Sequence, residues 1–128
     1  MGTWLTVSGV SGFLAVALGA FGAHGLQARL ADAADGAKRL GWWQTAAHYH
    51  LMHALALVAV ALLVAKAPQA RYAGFAFVLG SLLFCGSLYA MALGAPRWFG
   101  AITPLGGVGF LVGWAVLAWC GVVIGRGP

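Results

Sequence analysis

The sequence predicts an all-α integral membrane protein: a single domain, 1–128, folded as an antiparallel four-helix bundle. Three observations carry this. Four apolar runs, at about 3–23, 43–65, 72–95 and 103–125, contain no Asp, Glu, Lys or Arg. As α-helices they measure roughly 31–36 Å, enough to cross a hydrocarbon core. Only 7% of the chain is charged while 62% is hydrophobic, and mean hydropathy is +0.92. A soluble domain carries about a quarter charged residues, so lipid must be the solvent for much of this surface. Finally, the runs lack the alternation of strands, and a membrane barrel would need at least about eight strands.

The first run ends near Ala20, Gly22 and Ala23, a stretch resembling a signal-peptide cleavage site. It has no basic n-region and exceeds an ordinary h-region, so it reads as a span. The connection 24–42 is patterned: Leu26, Leu30, Ala33, Ala37 and Leu40 recur at helical spacing, with Arg29, Asp32, Asp35, Lys38 and Arg39 between them. That pattern predicts a short interfacial amphipathic helix between helices one and two, with Gly36 as its candidate break. A plain solvated loop is the alternative. The short connections 66–71 and 96–102 make consecutive spans antiparallel neighbours. Thr103-Pro104 reads as a helix start, with the Thr hydroxyl as cap and Pro in the first turn.

Four spans put both termini on one side, with Lys66, Arg71 and Arg126; Arg29, Lys38, Arg39 and Arg97 lie opposite. The bias is too small to set orientation. Trp4, Trp42, Trp43, Tyr72 and Trp98 fall near span ends, where amphipathic rings anchor at the headgroup level. The scattered basic residues, net charge +5, form no run that would suit nucleic acid. Cys85 and Cys120 each sit inside an apolar run and read as small core residues.

Small residues recur every four positions, and Gly19, Gly86, Gly109 and Gly113 are the expected helix-packing positions. Residues 11–20 (SGFLAVALGA) and 86–95 (GSLYAMALGA) agree at five of ten positions, which either a duplicated hairpin or chance would explain.

Little in the spans could carry chemistry. Asp32 and Asp35 are the only carboxylates and lie in the first connection. No carboxylate pair, Ser-His-Asp set, CxxC or phosphate loop appears, so the chain reads as a non-enzyme with no cofactor. His24, Thr45, Tyr49, His53, Ser87 and Thr103 are the candidate polar pocket. Tyr49 and His53 share a helix face, as do His50 and His53. A metal site would need three or four converging ligands. If the membrane begins near Trp43, His53 lies roughly 15 Å deeper, away from His24, so the histidines read as neutral pocket or structural residues.

With those residues placed, the chain resembles the family called domain of unknown function 423, small bacterial membrane proteins with eukaryotic relatives named transmembrane protein 256. The blocks that carry the resemblance are GAFGAHGL at 19–26, Thr45-Ala46 with Tyr49 and HALAL at 53–57, FCGSLYAMAL at 84–93, and ITPLGG at 102–107 with Gly113-Trp114. The resemblance implies four helical spans. It places histidine at 24 and 53 but not at 48 or 50, where Gln is more familiar at 50. It implies no biochemical activity. The expected location is a bacterial inner membrane, multi-pass. The leading functional reading is a non-catalytic protein acting through the binding of membrane lipid, a second copy or another membrane protein. The alternatives are a carrier or channel component for a small neutral or apolar molecule, and a histidine-based metal or haem protein.

Overall fold

A computed structural model describes residues 1–127. Four long helices follow one another: α1 over Gly2–Leu30, α2 over Gly36–Leu63, α3 over Ala70–Ala92 and α4 over Thr103–Gly125. A 3-10 turn, Arg97–Ala101, leads into α4. There is no strand among the described residues. All four helices are long and apolar enough to cross a membrane. The principal contacts are α1 on α2, α4 on α3, and α2 against α3. The bundle is therefore two antiparallel hairpins joined through α2 and α3. In the first twenty residues of α1 only Ser8 and Ala15 are buried, so most of that helix faces outward.

The separate amphipathic helix expected between the first two spans is absent. Its residues instead extend the two long helices, and only 31–35 form a turn. The physical reason is a small apolar cluster of Leu26, Leu30, Trp43 and Ala92, against which Ala33 and Leu40 pack. The apolar stripe thus closes on the neighbouring helix rather than lying in the interface. At 29 and 28 residues, α1 and α2 are about 43 Å long, more than the roughly 30 Å hydrocarbon core, so one end projects beyond it. The turn is tight: a Cβ at Gly36 would run into the Leu30 carbonyl.

Both outer hairpins contain one π-helical turn, at Gly22–Leu26 in α1 and Ser81–Cys85 in α3. Such turns disturb the regular backbone ladder and leave carbonyls to be satisfied from elsewhere. Trp43 Nε1 donates to the Leu18 carbonyl at 2.7 Å, just before the first π turn. Ser87 Oγ donates to the Phe84 carbonyl at 3.0 Å within the second. Gly106 of α4 fits beside it, where a Cβ would strike the Phe84 backbone.

The end of α3 is a Schellman motif. Gly94 has φ +105, a region that favours glycine, and Ala95 N–H donates to the Ala90 carbonyl at 2.9 Å while Gly94 N–H reaches Met91 at 3.1 Å. Arg39 Nε donates to the last helical carbonyl, Ala92, at 2.9 Å, placing a cation at the negative end of the helix.

Thr103 opens α4 with proline in the first turn, as expected, but its hydroxyl makes no cap. Ile102, between the 3-10 turn and α4, already supplies the acceptor: Leu105 and Gly106 N–H both donate to its carbonyl. The Thr103 hydroxyl is then free to meet Ser87 Oγ at 2.6 Å.

Candidate functional site

Four of the six polar-pocket candidates, Tyr49, His53, Ser87 and Thr103, make side-chain hydrogen bonds or ring contacts. His53 is buried on the inner face of α2. Its Nδ1 lies 2.7 Å from the Tyr49 carbonyl, and its Nε2 lies 3.2 Å from Trp114 Nε1 of α4. A carbonyl can only accept and an indole N–H can only donate, so this ring is the neutral tautomer with the proton on Nδ1. The imidazole stacks on Phe110 at 3.6 Å between centroids, 7° from parallel, with Phe77 beside it. Tyr49 packs against Phe84 at 4.7 Å, and Phe84 carries the carbonyl that Ser87 binds. Tyr49, His53, Ser87 and Thr103 therefore sit around one α2–α3–α4 seam. His24 and Thr45 are exposed. Among the described residues, no group of three His, Cys, Asp or Glu could hold a metal ion.

The expected packing glycines divide as well. At Gly109 a Cβ would lie 3.1 Å from Gly80 Cα, and at Gly113 it would overlap the Phe77 ring. Both glycines let α4 settle on α3 within the chain. Gly19 has only an ordinary contact, with Ala47 at 4.0 Å. Gly86, expected at a helix contact, meets nothing within 4 Å. The reason is that it faces a cleft.

That cleft, about 480 Å³, separates α1 from α3, with α2 as its floor. Val7, Val10, Leu14 and Leu18 form the α1 wall; Val78, Leu82 and Cys85 contribute to the α3 wall. His50 and Leu57, seven residues apart on one helix face, lie on the floor. Thr6, Ser11, Ser81 and Tyr89 add hydroxyls, and no lining residue is charged. Its volume lies within the roughly 300–1,000 Å³ of small-molecule sites. From Thr6 to Leu18 it runs about 18 Å along α1. At one end His50 Nδ1 and the Tyr89 hydroxyl are 3.2 Å apart, and Tyr89 is held against Trp43 at 4.5 Å between ring centroids. A second depression, about 520 Å³, lies between α1 and α2 alone, beside Gly19, Trp43 and His48.

None of the six candidate residues lines the α1–α3 cleft. Its polar members, Thr6, Ser11, His50, Ser81 and Tyr89, are outside that set. Hydroxyls isolated in otherwise apolar runs were the available signal. Their convergence depends on how α1 leans on α2, which no single-helix pattern contains.

The pattern of the family described as Protein of unknown function (DUF423) matches residues 18–107. The UPF0382 membrane protein YwdK of Bacillus subtilis is 40% identical over 91% of this chain and 94% of its own length. A UPF0382 membrane protein of Haemophilus influenzae is 44% identical, over 91% and 90%. The UPF0382 inner membrane protein YgdD of Escherichia coli K12 is 40% identical, over 88% and 84%. No solved structure matches the chain. Four apolar helices of spanning length and relatives matched over nearly the whole chain make this a multi-pass membrane protein that belongs to the DUF423 family, whose function is unknown.

Proposed function

We propose that this chain is a non-catalytic lipid-binding protein of the bacterial inner membrane, which holds a lipid hydrocarbon chain in the α1–α3 cleft. The cleft itself carries the reading: an uncharged, mainly aliphatic cavity of about 480 Å³ lies between spanning helices. Its 18 Å length, estimated from the helical rise, runs along the helices as acyl chains do. A hydrocarbon chain fills such a space without leaving buried charge unpaired. The non-catalytic part rests on the residue inventory, since the only two carboxylates, Asp32 and Asp35, lie between the first two helices. The inner-membrane location is supported by the name of the similar Escherichia coli protein.

Quantitative lipid extraction tests the proposal. Purified protein, washed through repeated detergent exchange, is expected to retain about one hydrocarbon-chain molecule per protomer. Protein that stays folded while retaining none would contradict it.

A further inference from the structure

We propose that the His50–Tyr89 pair is a headgroup site, selecting a neutral amphiphile whose head presents a carbonyl or hydroxyl oxygen. This rests on the reading of the cleft as a lipid site. The two side chains meet at the end of the cleft nearest Leu18, His50 from the floor and Tyr89 from the α3 wall. Tyr89 lies three residues before the end of α3, about 5 Å along the axis, so this end faces the nearer membrane surface. The rest of the cleft runs toward the opposite surface, past Leu57, Val78 and Thr6. A head at the pair and a tail along the aliphatic walls therefore match the orientation of a membrane amphiphile.

The protons specify the head. A neutral imidazole has one N–H and a phenol one O–H, and their mutual hydrogen bond uses one of the two. If Tyr89 donates to Nδ1, His50 Nε2–H is left to donate. If Nδ1–H donates to Tyr89, the phenol O–H is left. In either arrangement one donor remains for a ligand oxygen. A bare alkane would leave that donor unpaired in hydrocarbon, which is costly. A carboxylate, phosphate or ammonium head would find no counter-ion, because no lining residue is charged. A neutral oxygen acceptor is what remains.

The test measures binding of tritiated hexadecan-1-ol to the purified full chain, with hexadecane and hexadecanoate as competitors. Wild-type protein should bind about one alcohol per chain and prefer it over both competitors by about tenfold or more. Tyr89→Phe keeps the ring against Trp43 and removes only the hydroxyl, and His50→Leu keeps an apolar floor. Either change alone leaves one donor for the ligand oxygen; the double variant removes both and should weaken alcohol binding about tenfold while leaving hexadecane binding unchanged. Gly86→Leu, which places a side chain into open space in the cleft wall, should block all three probes. If it does, but the double variant binds alcohol like wild type, or hexadecanoate binds as well as the alcohol, the headgroup inference is overturned and the lipid site stands. If Gly86→Leu binds every probe normally, both fail. A homodimer that Gly86→Leu dissociates, with no probe binding, would identify a second copy as the occupant and overturn both.

Discussion

His53 is held on three sides: the Tyr49 carbonyl at Nδ1, the Trp114 indole at Nε2 and the Phe110 ring across its face. His53→Ala would leave the Trp114 indole N–H without its acceptor and open a void against Phe110. The expected loss is about 2–4 kcal/mol, read as a lower melting temperature in detergent. Metal content, measured on untagged protein, should be the same in both proteins. Stoichiometric zinc, copper or iron that disappears with His53 would count against the structural role. Glycines at different depths should respond in opposite ways. Gly113→Leu and Gly109→Leu push α4 off α3 and should lower the melting temperature, whereas Gly86→Ala, with open space around it, should hold or raise it by up to about 1 kcal/mol in helix propensity. Equal responses at the three positions would contradict this packing. In the sequence, His53 and Tyr49 are visibly one turn apart, but Trp114 is 61 residues away and is brought in only by α4. Ser87 and Thr103 read as possible neighbours of His53, and they bond each other instead.

At both π turns a neighbouring element approaches closely. In α1 the Trp43 ring lies where a Cβ at Gly22 would stand, and its N–H takes the Leu18 carbonyl. Trp43→Phe keeps an aromatic ring but removes that donor. It should cost about 1–3 kcal/mol and speed amide hydrogen exchange around 22–26 more than elsewhere in α1. Uniform exchange along α1 would deny the turn this role. The sequence marks Gly22 and Trp43 separately, as a small residue and an interface anchor. Their pairing needs the hairpin. The stripe Leu26, Leu30, Ala33, Leu40 was legible as apolar and helical, yet a continuous stripe does not say whether one helix carries it or two helix ends share it. The Leu26–Leu30–Trp43–Ala92 cluster decides that, and it includes a residue from α3.

For the whole molecule, span number followed from composition and run length, because an uncharged run of more than twenty residues has few stable places outside a bilayer. The arrangement of the spans did not. Two hairpins joined through α2 and α3 leave a cleft that a closed square bundle would lack. Antiparallel order predicts that cysteines introduced at 2, 68 and 127 label from one side of the membrane, and those at 35 and 97 from the other. The native thiols, Cys85 and Cys120, are buried and should give little background. A mixed labelling pattern would break the topology. The occupied cleft is the central claim, and native mass spectrometry of gently extracted protein tests it most directly. Wild type and Gly121→Leu, whose new side chain projects into open space on α4, should each carry one lipid-sized mass per protomer, and Gly86→Leu should not. The same mass retained by all three, or by none, would contradict a lipid held between α1 and α3.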